Sequence, residues 1–312
     1  QGARPAHITT IKIDNVDSSI RIDQKSRENL EISSSYLKKD STSIFSLINT
    51  TKTPMGGRLL KRWLTKPLKQ GRQLIERHNA VSALIGEINI DRLRSDLKDI
   101  KDLERAAARI TIKIIKPAEL NSLRKTLTKL PLVKEHLKIG CAKLLDEIIF
   151  HTSEFPHVIK LLSDALVENP PLTIKEQPVI ATGFDEELDK LRSILSDANE
   201  RLVSIETREK KATGISSLKV GFNRVHGYYI ETSRLHSDLV PSSFQRRQTL
   251  KATERYITEE LQAFETEILN AKEQALLREK QVFNELVTSL ASETKKMVIT
   301  ANSISTLDVL ST

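Results

Sequence analysis

Between Lys211 and Ile257 the chain carries eight lysines and arginines against three acids, Glu231, Asp238 and Glu254, in a protein whose net charge is +8. The other 265 residues share only the remaining +3. Three of the four tyrosines, Tyr228, Tyr229 and Tyr256, fall in the same stretch, with Phe222 and Phe244. A basic, aromatic island of this kind suits a polyanion, because ammonium and guanidinium groups donate to anionic oxygens without reading which base is attached.

Within the island, Leu218, Val220 and Phe222 alternate with Lys219, Gly221 and Asn223, the pattern of a half-buried strand. Asn223 to Gly227 reads as a turn, and Tyr228, Ile230 and Thr232 alternate on a return strand. Taken as extended, Gln245 to Arg255 puts Arg247, Thr249, Lys251, Thr253 and Arg255 on one face and Leu250, Ala252 and Tyr256 on the other. That row of cations and hydroxyls fits a phosphate backbone, with Asn223 adding an amide donor from the neighbouring turn. The candidate set is Asn223, Arg247 and Lys251, joined by Lys219, Arg224, Arg246 and Arg255. The competing reading is that these charges solvate a small β face. Phe222 and Tyr228 are expected to form the core of this small domain rather than platforms for stacked bases.

Two long helical patterns flank the island. Leu188, Leu191, Leu195, Ala198, Leu202 and Ile205 share one face over Asp185 to Lys211, a helix of about 40 Å. Thr258 is placed to cap a second helix, with Glu259 and Glu260 suited to its positive end. Leu261, Phe264, Ile268, Ala271, Ala275, Val282, Leu286 and Leu290 carry it to about 60 Å if unbroken to Val298. Helices that flank a compact insertion must run antiparallel. Upstream, His7 to Asp23 reads as a small hairpin and Gln24 to Ile32 as a helix. Thr53 caps a further helix with Pro54 at its first position, Asp91 to Ile110 forms another, and Pro131 breaks the one begun at Lys116. The fold class is mainly α, a multi-helix core with long antiparallel helices and a small, mostly antiparallel β insertion.

Composition excludes several functions. Aromatics make up only 4% of the chain, so the core is Leu, Ile, Val and Ala. The single cysteine, Cys141, rules out an internal disulfide and a cysteine-based zinc site. His136, His151 and His157 lack the i, i+4 spacing of a helical metal pair. Gly56-Gly57 is no phosphate loop, since no Gly-Lys pair occurs; close backbone packing at a helix start explains it better. No 18-residue apolar run spans a membrane, and a reducing, cytoplasmic setting is expected. The non-Met start and the helical pattern at the other end suggest a piece of a longer protein.

Gly221-Phe222-Asn223-Arg224-Val225-His226-Gly227-Tyr228-Tyr229-Ile230 and Arg246-Arg247-Gln248-Thr249-Leu250-Lys251-Ala252-Thr253-Glu254-Arg255-Tyr256 closely resemble the clamp region of MutS-type DNA mismatch repair proteins. Thr53-Pro54-Met55-Gly56-Gly57-Arg58 with Leu60-Lys61-Arg62-Trp63-Leu64 resembles the same family's core segment. Val179-Ile180-Ala181-Thr182-Gly183 with Glu186-Glu187-Leu188-Asp189 resembles its lever-helix entry. The resemblance spans nearly the whole chain and implies a core and lever over residues 1–198, a clamp over 199–257, and a returning lever helix over 258–312. By match, the clamp's contacts to the backbone of double-stranded DNA fall at Asn223, Arg247, Lys251 and the position of Ala252. Ala252 stands where the family usually has Asn, so the amide expected there is missing.

The family's mismatch-reading Phe-x-Glu wedge and its ATPase have no counterpart here. The resemblance therefore implies a non-enzymatic DNA-binding segment with no cofactor of its own, ATP and Mg belonging to an absent ATPase domain. It also implies lever helices that couple nucleotide state to clamp closure. The full-length protein would be a homodimer that engages a MutL-type partner, with no membrane association, and would be cytoplasmic, at the nucleoid when bound to DNA. Two other readings stand beside this one: a helical scaffold whose basic head docks an acidic protein, and a MutS relative acting in recombination without mismatch recognition.

Overall fold

The computed structural model describes residues 19–33, 43–175, 177–223 and 227–312. The described residues fall into two compact units, one within Gln1–Thr173, Gln177–Val179 and Asn284–Thr312, the other within Ile174–Glu176 and Ile180–Phe283.

The first unit is helical. It begins with α1 (Gln24–Asn29), α2 (Ile44–Ile48), α3 (Pro54–Thr65), α4 (Gly71–Glu87) and α5 (Ile90–Asp99). It continues with α6 (Leu103–Thr111), α7 (Pro117–Glu135), α8 (Lys143–His151) and α9 (Pro156–Ala165). The second unit holds α10 (Glu186–Ser196), α11 (Ala198–Thr213), β1 (Lys219–Asn223), β2 (Gly227–Ser233), β3 (Gln245–Thr249) and β4 (Thr253–Ile257). It also takes α12 (Glu259–Ser289) as far as Phe283; α13 (Thr294–Leu310) returns to the first unit.

Local chemistry sets the helix starts. Thr53 Oγ1 accepts the Gly56 amide at 2.9 Å, with Pro54 in the first turn of α3, as a capped start requires. The same hydroxyl donates at 2.7 Å to Asp308 of α13, a fully buried carboxylate that also accepts the amides of Lys52 at 2.8 Å and Thr53 at 2.7 Å. The amino end of α3 thus solvates a buried negative charge. Gly56 belongs to this arrangement, because a Cβ there would fall on the Asp308 carboxylate. The close approach expected at the glycine pair is to a side chain rather than to backbone, and Gly56 is the glycine that makes it.

In the second unit, ion pairs set the helix direction. Asp185 meets Arg278 at 2.7 Å, Arg192 meets Glu279 at 2.7 Å, Arg201 meets Glu267 at 2.9 Å, and Arg208 meets Glu260. From Arg192 through Arg201 to Arg208 the partners fall from Glu279 to Glu267 to Glu260, so α10 and α11 lie antiparallel to α12. Thr258 Oγ1 accepts the Leu261 amide at 3.2 Å, the expected cap of α12.

Several expectations need correction. The stretch Asp91 to Ile110 is two helices, because Asp102 caps α6 through the Arg105 amide at 3.2 Å and pairs with Arg58 at 2.6 Å. Pro131 does not break α7; it lies inside it, between the fully buried Leu127 and Leu130 and the buried Val133, whose burial outweighs the lost backbone bond. Asp185 to Lys211 is interrupted at Asp197, where Ser196 Oγ bonds both the Ser193 carbonyl at 2.9 Å and the Asp197 carboxylate at 3.0 Å, in competition with the helical ladder. The returning helix ends at Ser289, and Leu290–Glu293 tightens into a 3-10 turn. There the Ser289 and Thr294 hydroxyls each donate at 2.7 Å to carbonyls three residues back. The first strand of the expected amino-terminal hairpin lies outside the described residues. Of its second, Ser19 makes a single antiparallel bridge to Leu68.

Candidate nucleic-acid interface

The four strands form one antiparallel sheet in the order β1-β2-β4-β3. Its register fixes which side chains share a face. Val220 pairs with Ile230, and Ile230 with Tyr256, on the face that buries Ile215, Leu218, Phe244, Leu261 and Phe264. Lys219 pairs with Glu231, and Glu231 with Arg255, on the opposite face. Tyr228 packs on the core side, 5.4 Å from Phe264 between ring centroids, as expected of a core residue. Phe222 departs from that expectation: its ring touches Tyr228 at 4.9 Å but is 55% exposed.

The basic run is not one extended strand. Gln245 to Ile257 folds back on itself as a β3–β4 hairpin, closed by the Leu250 amide donating to the Thr253 carbonyl at 2.9 Å, with Lys251 and Ala252 at its tip. Arg247 sits at a bulge, since Arg246 pairs with Tyr256 while Gln248 pairs with Arg255. The predicted row on a single strand face is therefore distributed. Arg247 and Lys251 are exposed on the hairpin, Arg255 faces outward on β4, and Arg246 lies on the core side of the edge strand.

Acids hold two of these arginines. Arg246 reaches Glu254 at 3.2 Å, a carboxylate only 8% exposed that also accepts the Tyr256 hydroxyl. Burial, and then that hydrogen bond, push the Tyr256 phenol above its ordinary value. Arg255 donates to Glu231 at 2.8 Å and to Gln248 at 3.2 Å, and its guanidinium lies 4.1 Å from the centre of the Tyr229 ring. The Glu231 hydrogen bond raises its already high pKa further. Lys219 is exposed beside Glu231 on the same face. Asn223 closes β1 opposite Gly227, and Arg224 lies outside the described residues.

Sequence reading missed the residues that build this face. Gly221 lies opposite Tyr229, and a Cβ there would come within 2.8 Å of the ring, so glycine lets Tyr229 lie across β1 and receive Arg255 on its other side. Gly227, at φ +72°, is needed twice over, since a Cβ there would also strike the Glu265 carboxylate. Glu206 of α11 accepts the Val220 amide at 2.9 Å and so occupies a donor of edge strand β1. Its own carboxyl is held below the ordinary range by Lys210 first and by that amide second. The β1–β2 register, once set, would have revealed Gly221, Tyr229 and Glu231; Glu206 carried no local signal.

Among the described residues no cluster of three or more histidines, cysteines or acids is arranged to hold a metal ion. His136 instead meets Asp96 at 2.6 Å. No helix among them is long and apolar enough to cross a membrane. The family model for MutS domain III matches residues 25–312. That match takes in both units and the whole sheet, and the chain belongs to the MutS family of DNA mismatch repair proteins.

Proposed function

We propose that the β3–β4 hairpin holds duplex DNA by its phosphates, irrespective of sequence. The observation that carries this reading is the exposure of Arg247 and Lys251 on one hairpin, at a bulge and at a tip, where they can meet phosphate oxygens. Lys219 and Asn223 of β1, together with Arg224, supply further donors. Arg246 and Arg255 serve first to fix the sheet through Glu254 and Glu231, and their contribution to DNA is secondary. The segment catalyses nothing itself. The antiparallel helices α11 and α12 pass a change at the sheet along their length toward the ATP- and Mg-binding part of the full protein, which acts as a homodimer with a MutL-type partner at the nucleoid.

Fluorescence anisotropy of a labelled random-sequence duplex tests the reading. Binding that weakens steeply with salt and resists competition by an acidic protein supports it. Displacement of the duplex by the acidic protein at equal charge, or no binding at low salt, favours the scaffold alternative.

A further inference from the structure

In the first unit, two cavities adjoin on the flank of α7. One, of about 410 Å³, is floored by Leu103 and Leu123, both buried, with Pro54 and Ala106 beside them. The other, of about 530 Å³, is walled by the long side chains of Lys101, Arg124, Lys125 and Lys129. Lys101 and Ser122 line both, so the two form one trough with an apolar end and a cationic end.

Most charges at the apolar end are already matched: Arg109 pairs with Glu119, and Arg105 meets Asp102 at 3.4 Å. At the cationic end Lys129 pairs with an acid, Asp99 at 3.6 Å. Lys101, Arg124 and Lys125 have no ion-pair partner among the described residues. Their methylene stems form the wall and their charges the rim, a surface that is greasy below and positive above.

We propose that this trough docks a short acidic peptide segment of a partner protein. One aliphatic side chain of the peptide seats over Leu103 and Leu123, and its carboxylates meet Lys101, Arg124 and Lys125. A peptide fits better than a nucleic acid for two reasons. The apolar floor rewards a side chain that a phosphate backbone lacks. Asp99, Asp102 and Glu119 also stud the trough. They repel a continuous run of phosphates, whereas a peptide can space its carboxylates around them.

The test uses the full 312-residue chain and a fluorescein-labelled decapeptide of Asp and Glu with one central Leu, followed by anisotropy at low and moderate salt. Binding should fall about tenfold or more when the peptide's Leu is replaced by Ser, the loss of one buried aliphatic group. It should fall at least as far for Arg124→Glu combined with Lys125→Glu, and be unchanged by Lys251→Ala in the other unit. Unchanged melting temperature verifies that the double variant is folded; Lys125→Gln, with a severalfold loss, replaces it if not. The proposal is overturned if the peptide does not bind at low salt. It is equally overturned if binding ignores the Leu or the charge reversal, or if these substitutions weaken duplex DNA while the peptide stays unbound.

Discussion

Tyr229 lies flat across β1 because Gly221 leaves it room, and its exposed face receives Arg255. Replacing Gly221 by Val should push the ring off the strand and loosen the guanidinium from its stack. The expected loss is about 1–3 kcal/mol in the stability of the second unit, the usual range for overpacking, read from the urea midpoint. Asp308 is the corresponding point in the first unit. Asp308→Ala would strand two amides and the Thr53 hydroxyl in a dry site, and should cost about 3–5 kcal/mol by thermal unfolding. A loss below about 1 kcal/mol would mean that water reaches the α3 amino terminus. The Thr53–Pro54 start was legible because a cap hydroxyl and a following proline are local signals. Asp308 was not, since its partners lie 255 and 256 residues away.

At the scale of elements, helices were legible where the apolar period was long, and their interruptions were not. Asp102 and Asp197 stop or pinch helices through side-chain hydrogen bonds, with neither glycine nor proline to mark the place. Pro131 misleads in the other direction: it is a local stop signal overridden by the buried Leu127 and Leu130 before it and Val133 after it. Pro131→Ala should therefore stabilise the first unit by about 1–2 kcal/mol, less than the full cost of a helical proline because alanine also loosens the unfolded chain. A lower melting temperature would contradict this. The β3–β4 hairpin escaped the sequence reading for a related reason. Its tip, Lys251-Ala252, has neither the glycine nor the asparagine that usually announces a two-residue turn, and neither residue takes a positive φ.

The ladder between α10 and α12 carries a pH dependence. Asp185 is held below its ordinary value, chiefly by the Arg278 hydrogen bond. A carboxyl with a depressed folded pKa contributes stability that is present above its unfolded value near about 4, and lost as pH falls through the lower folded value. Unfolding followed by circular dichroism should show the second unit weakening below about pH 4. Asp185→Asn should flatten that slope, and an unchanged slope would remove Asp185 from the ladder's acid response.

At the scale of the whole molecule, the basic island of the sequence became a four-stranded sheet whose arginines divide their work. Arg246 and Arg255 are bound to Glu254 and Glu231 and hold the sheet together; Arg247 and Lys251 stand on the hairpin. Composition located the island, since five of the chain's eight net charges fall within it. It could not tell which of its arginines pair with Glu254 and Glu231, because that depends on which residue lies across each strand. The most direct measurement is the salt dependence of duplex binding for the unaltered chain, Arg247→Ala and Lys251→Ala, on several unrelated sequences. Each substitution should weaken every duplex alike and reduce the logarithmic salt slope by about one contact. A substitution that changes the order of preference among sequences, or leaves the slope untouched, would contradict backbone holding by this hairpin.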